Sequence, residues 1–192
     1  MKKVIAVLLV AVLALGVLTA CGKKDTTTTG GETTAAASDK ESQTVQVEYA
    51  AQKVAASIVL PTLGGIETET EEYEGEGNTY TKVYSKENDA TFADVDLSMC
   101  IVTQEYKDKT LAGERNTGDK ETPELLKING NEGCKYTYEE DAGRSVEYIV
   151  YADKNGDLVE LSIHVQDSFS DLTQEEWDAL CKAVETTVEF KL

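Results

Sequence analysis

The sequence of 192 residues has one histidine, His164, two prolines and one tryptophan, and sets 18 basic residues against 36 acidic ones. Each scarcity excludes something. With one histidine, a Ser-His or Cys-His mechanism is left with a single thiol pairing on neighbouring strands, Cys134 with His164, and no evident group to orient the base. A formal charge of −18 opposes binding to nucleic acid, whose phosphates demand lysine and arginine. It also opposes flat docking on anionic lipid or anionic wall polymers. No Cys-x-x-Cys spacing occurs, so zinc and dithiol redox chemistry lack their usual scaffold.

What is present begins at the amino terminus. Lys2 and Lys3 precede an apolar run from Val4 to Leu18. That run is too short for a hydrocarbon core that needs about 20 residues. It matches the apolar centre of a secretory signal. Leu18-Thr19-Ala20-Cys21, followed by Gly22, resembles the lipobox of bacterial lipoproteins. The resemblance implies cleavage between Ala20 and Cys21 and a diacylglycerol thioether on Cys21. Two or more acyl chains of the palmitate kind would then anchor the chain stably at the outer face of a membrane. The expected localisation is extracytoplasmic and lipid-anchored.

Gly22 to Gln43 contains no Val, Ile, Leu or aromatic residue. Such a segment cannot offset its ordering entropy by burial and reads as a disordered tether. The expected organisation is a signal peptide at 1–20, a lipidated Cys21 with its tether at 21–44, and one acidic domain at 45–192. Residues 1–44 are nearly neutral, so almost all of the charge falls on the domain. Close to 150 residues suffice to bury a core without staples.

Alternation of apolar and polar residues dominates that domain and predicts half-buried strands. Val45-Gln46-Val47-Glu48-Tyr49 alternates, and Val54 to Leu60 is apolar and rich in β-branched residues before Pro61 and a turn at Gly64-Gly65. Ile66–Tyr73 and Thr79–Ser85 flank Gly75-Glu76-Gly77-Asn78 as a hairpin. Val95, Leu97, Met99 and Ile101 share one strand face. Glu105 to Pro123 shows no clear element, Pro123 to Leu126 reads as a helical turn, and Asn129-Gly130 makes a turn. Cys134–Glu139, Ser145–Ala152 and Leu158–Val165 read as a meander, its second turn the hairpin signal Asn155-Gly156. Thr173-Gln174-Glu175-Glu176 is a capping box, with Leu172 and Trp177 placed as a hydrophobic staple. Trp177, Leu180, Cys181 and Val184 follow helical spacing, and Val188, Phe190 and Leu192 alternate again. The expected fold is α+β, a mainly antiparallel twisted sheet with one or two helices packed on one face.

From Ile128-Asn129-Gly130-Asn131-Glu132-Gly133 onward, the order is an aromatic strand (Tyr136, Tyr138), two further strands, a helix and a closing Val188-Glu189-Phe190-Lys191. This order resembles the back half of PsbP-like domains, over about 65 residues and without a diagnostic motif. The resemblance implies a partner-binding domain without general enzyme activity. Residues 44–66 lack the aromatic entry expected before the proline.

Several residues are site candidates. With Cys21 assigned, Cys100, Cys134 and Cys181 remain, an odd number. Cys100–Cys134 is the candidate disulfide; the alternative is three small buried hydrophobes. Asp153 to Asp157 begins like a calcium loop, but the sixth and twelfth positions hold Leu158 and His164 instead of Gly and Glu, so a hairpin turn is expected. Glu67, Glu69 and Glu71 share one strand face and form either a candidate cation ribbon or a guarded sheet edge. His164 falls on the face of Leu158, Glu160 and Ser162, toward solvent or a sheet rim. Tyr136, Tyr138, Tyr148 and Tyr151 sit in the meander, Tyr148 and Tyr151 on opposite faces. They form either cross-strand pairs or an exposed stripe for glycan or peptide contact. No catalytic set, metal set or cofactor motif is evident.

The expected function is a non-enzymatic binding or accessory module for another envelope component, a protein or a peptide, engaged through the sheet face. The alternative is a lipoprotein that binds a cation or small molecule.

Overall fold

Ten strands and two helices realise the alternating pattern among the residues described in this computed structural model, which are 41–73, 75–85, 91–115, 122–140, 143–168 and 171–192. The expected signal peptide, Cys21 and the expected tether as far as residue 40 lie outside them, and residues 42–44, expected to be tether, open the first strand. The strands are β1 (Ser42–Tyr49), β2 (Val54–Pro61), β3 (Gly64–Tyr73), β4 (Glu76–Ser85), β5 (Thr91–Val102), β6 (Glu124–Ile128), β7 (Asn131–Glu140), β8 (Gly143–Lys154), β9 (Asp157–Asp167) and β10 (Glu189–Lys191). The helices are α1 (Gln104–Leu111) and α2 (Gln174–Thr187). Seven strands form one antiparallel sheet in the order β3-β4-β5-β9-β8-β7-β6, and three form a second in the order β1-β2-β10.

Turn chemistry sets the registers of the large sheet. Asn129-Gly130 joins β6 to β7 with φ of 45° and 86°, and Asn155-Gly156 joins β8 to β9 with φ of 56° and 95°. Two consecutive positive φ values match the twist of the flanking strands, which is why Asn-Gly is favoured there.

One face of the large sheet carries the main core. Val95, Leu97 and Met99 of β5, Val159, Leu161, Ile163 and Val165 of β9 and Tyr148 of β8 are fully buried. They meet Val45, Val47, Ile58 and Leu60 of the small sheet and Leu180 and Val184 of α2. The small sheet and α2 together thus roof the same face.

The helix is seated by polar contacts at its start. Thr173 and Glu176 form the reciprocal capping box, and Leu172 and Trp177 are both buried. The Asp167 carboxylate, fully buried, accepts from the backbone N–H of Asp171 (2.9 Å) and Leu172 (3.3 Å). Arg144 donates to Asp167 and to the Leu172 carbonyl, and its guanidinium lies 4.7 Å from the centre of the Trp177 ring.

The small sheet crosses the large one at a glycine. Thr79 Oγ1 donates to the Gln46 carbonyl (2.9 Å), and a Cβ on Gly77 would stand 2.3 Å from the Glu48 carbonyl oxygen. No rotation of a side chain relieves contact with backbone. Gly77→Ala is expected to cost about 1–3 kcal/mol by forcing the layers apart. Urea unfolding checks it; a midpoint unchanged from the parent would show that β1 does not press on β4.

The expected architecture is corrected in three respects. The chain is largely β, with little helix and a second sheet. The two helices cover opposite faces of the large sheet: α2 packs on the main core, while Leu111 of α1 packs on a separate cluster of Cys134, Tyr136, Ile149 and Tyr151. Residues 105–111, expected to form no clear element, belong to helix α1, and Glu124–Leu126, expected to form a helical turn, belongs to strand β6. Backbone pairing with β7, Leu125↔Cys134 and Leu126↔Gly133, overrides the local preference there.

Candidate functional site

The face of the large sheet away from the main core is polar, and register orders it into rows. One row crosses six strands through directly paired residues: Glu69, Tyr80, Asp96, His164, Glu147 and Tyr136. Beside it run Glu67, Lys82, Asp94 and Gln166, and on the other side Glu71, Asn78, Ser98 and Ser162. The face divides into a covered half over β7 to β9 and an open half over β3 to β5.

On the covered half, α1 lies over the strands. Thr103 caps it, its hydroxyl accepting from the Tyr106 N–H at 3.2 Å. Lys109 and Glu105 pair one turn apart. The Tyr136 hydroxyl donates to the Thr110 carbonyl (2.5 Å), and the Lys107 ammonium stands 5.3 Å from the Tyr151 ring while pairing with Glu132. Just beyond the helix, Arg115 enters a cluster built from three strands. Its guanidinium lies 4.2 Å from the Tyr136 ring centre and donates to the Tyr138 hydroxyl and the Glu147 carboxylate. The Ser162 hydroxyl donates to Glu147 (2.9 Å), as does the Tyr138 hydroxyl (3.1 Å).

Two largely buried carboxyls sit in this cluster, with their pKa values pushed in opposite directions. Burial alone would raise the Glu147 pKa. Hydrogen bonding and charge from Arg115, with the two hydroxyls, more than offset that and hold it below the ordinary value. Glu160 is 7% exposed, and its Oε2 has no hydrogen-bond partner among the described residues. Burial first, then the charge of Glu147, raises its pKa. It sits against Tyr151 closely enough to feel that hydroxyl, which itself falls short of hydrogen-bonding geometry.

Below the ordinary value of 4.5 Glu160 is protonated both folded and unfolded and contributes nothing. As pH rises from there, the unfolded chain releases the proton while the folded chain resists, so stability falls and then levels once pH passes the raised folded value. Glu160→Gln, neutral throughout, is expected to match the parent near pH 4 and to be the more stable near pH 8. Melting curves at the two pH values check it; a constant offset at both would show that ionisation is not the cause.

The candidates from sequence are placed as follows. Cys100 on β5 and Cys134 on β7 are free thiols with β9 and β8 between them. Three strand spacings are about 14 Å, beyond the roughly 7 Å that a disulfide spans, so the candidate pair is not a disulfide. Burial pushes both thiols up to about 12 and leaves them unreactive. Cys181, also free and buried, belongs to the main core.

His164 is not at a sheet rim. It sits half-buried on the central strand β9, paired with Asp96 on one side and Glu147 on the other. Asp96 is raised by burial and by Asp94, against the lowering effect of His164. The meander tyrosines do not form an exposed stripe: Tyr148 faces the main core, and Tyr136 and Tyr151 are buried on the other face. The segment Asp153–Asp157 is a two-residue hairpin turn, with Lys154 paired to Asp157.

The open half holds the other candidates. Glu67, Glu69 and Glu71 are exposed on one face of β3, opposite Lys82, Tyr80 and Asn78 of β4. The Tyr84 hydroxyl donates to Glu67 at 2.6 Å. Glu67, Glu69, Tyr80 and Lys82 line a shallow groove of about 290 Å³. Among the described residues no three His, Cys, Asp or Glu side chains converge as a metal would need, so the three glutamates form a row and not a cage. No helix among the described residues is long and apolar enough to cross a membrane.

Nothing in the sequence marks Arg115, Glu147 and Glu160 as a cluster. Glu160 and Ser162 alternate in phase, but nothing in that phase shows that a helix covers them.

No family model and no curated protein matches the chain. Among solved structures, a protein from Bacteroides thetaiotaomicron is 14% identical over 71% of this chain, with a TM-score of 0.40. This chain spans 45% of that protein's length. LpqN, involved in cell envelope biogenesis of Mycobacterium tuberculosis, is 11% identical over 72% of this chain and 92% of its own, also with a TM-score of 0.40. A Chromobacterium violaceum protein is 15% identical over 65% of this chain and 74% of its own, with a TM-score of 0.20. Similarity at these scores is a partial overlap of elements and assigns no function to this chain.

Proposed function

We infer that the domain is a non-enzymatic binding or accessory module, held at the outer face of a membrane by lipid on Cys21, that engages a cationic region of another envelope component. One observation carries this reading: over β3 to β5 the polar face of the large sheet is open and acidic, with Glu67, Glu69, Glu71, Asp94 and Asp96 against a single lysine, Lys82. The exposed rings of Tyr73 and Tyr80, 74% and 44% accessible, add flat amphipathic area of the kind interfaces favour. The lipobox-like Leu18 to Cys21 supports the placement.

The reading is tested in two steps. Cys21→Ala is expected to move the protein from the membrane pellet to the supernatant; retention after a high-salt wash would exclude lipid as the anchor. Intact cells carrying the protein are then crosslinked beside a control in which residues 1–44 are fused to an inert domain. A protein captured through residues 45–192 and absent from the control supports the module reading, and an identical catch from both overturns it.

A further inference from the structure

β3 is a terminal strand of the large sheet, ten residues long. One edge pairs with β4 in unbroken register from Gly64↔Ser85 to Tyr73↔Glu76. Among the described residues its other edge has no strand beside it, so backbone N–H and C=O groups point outward along that length. At the far end of the sheet β6 has five residues and offers half the ladder. β3 contains no proline, and its ladder with β4 is unbroken by a bulge, two of the devices that usually blunt an edge. Its guard is charge.

The spacing of that charge says what it suits. Glu67, Glu69, Glu71 and Tyr73 alternate onto the outer face, all exposed. Alternate residues of a strand stand about 6.7 Å apart. A calcium ion needs its oxygens at about 2.3–2.6 Å, so the row is spread too widely to close on one ion. A neighbouring strand repeats with the same period, and a lysine or arginine at every second residue would face each glutamate in turn. A second copy of β3 would set glutamate against glutamate, which is repulsive.

We propose that the free edge of β3 accepts, by strand addition, an extended basic segment of another envelope protein. Its alternate Lys or Arg side chains lie on the outer face against Glu67, Glu69, Glu71 and the rings of Tyr73 and Tyr80. Backbone hydrogen bonds supply the affinity, and the carboxylates with the aromatic faces choose the sequence. This deepens the binding reading above and rests on it.

The test uses the full chain in mild detergent and a labelled nonapeptide alternating Lys and Thr, followed by fluorescence anisotropy. Two further probes are the same peptide N-methylated at every residue, which keeps charge and removes backbone donors, and a Glu-Thr peptide. The Lys-Thr peptide is expected to bind, and both other probes to bind at least about tenfold more weakly. Combining Glu67→Gln, Glu69→Gln and Glu71→Gln is expected to weaken the Lys-Thr peptide by about tenfold at low salt. Because these side chains are exposed, the melting temperature of that variant checks that the fold is intact. Equal binding of the N-methylated peptide, or no binding of the Lys-Thr peptide, overturns strand addition. If crosslinking still captures a partner in either case, the module reading stands and only the edge is lost.

Discussion

Glu147→Ala is expected to destabilise the domain by about 3–5 kcal/mol, the cost of breaking a largely buried ion pair by removing one member. Arg115 and Glu147 are both largely buried, with side chains 13% and 19% exposed. The carboxylate also collects the hydroxyls of Tyr138 and Ser162. Its removal takes away the ionised acceptor at the centre of the cluster and leaves the guanidinium over the Tyr136 ring. The informative control is the double variant Glu147→Ala with Arg115→Met, which removes both charges. It is expected to recover much of the loss, because replacing both members of a buried pair by apolar groups costs less than removing one of them. If the double variant is as unstable as the sum of its singles, the cluster acts through packing and not through charge.

Trp177→Ala is the second large effect, about 3–5 kcal/mol. The ring is 8% exposed and fills the junction between the start of α2 and the large sheet, with Arg144 stacked on its face. Arg144 in turn holds the buried Asp167 carboxylate and the Leu172 carbonyl. Loss of the ring therefore opens a cavity and frees the arginine that seats the helix. Denaturant unfolding followed by far-ultraviolet circular dichroism reads the change. A midpoint within experimental error of the parent would show that α2 does not close the core.

The two effects differ in how visible their residues are in sequence. Trp177 stands at a staple position behind a capping box, and the spacing of Leu180, Cys181 and Val184 marks the buried face; all of that is local. Strand alternation is equally local, which is why most strands, and the face each residue takes, can be read directly. Glu147 and Glu160 are on the polar phase of β8 and β9, where alternation says solvent. They are buried because α1 and Arg115 come over them, and α1 carries almost no apolar signal: only Thr110 among its residues is buried. Its one local marker is the Thr103 cap. Sheet order is likewise beyond local pattern. The insertion of β9 beside β5, which separates Cys100 from Cys134, and the placing of β10 beside β2 arise from contacts between distant segments.

That last pairing has a kinetic consequence. Phe190 pairs with Ala56, and the Val59 N–H donates to Thr187 Oγ1 across 128 positions. The small sheet cannot be completed until nearly the whole domain has been synthesised and brought together. Closing a loop of that length to complete the small sheet pushes folding toward the slow, millisecond-to-second end of the range. Until then α2 and β10, which help to cover the main core, are missing. On the proposed reading, in which the chain is exported, such lateness is a gain, since a chain that ties its first strands to its last residues stays threadable while it is still being made.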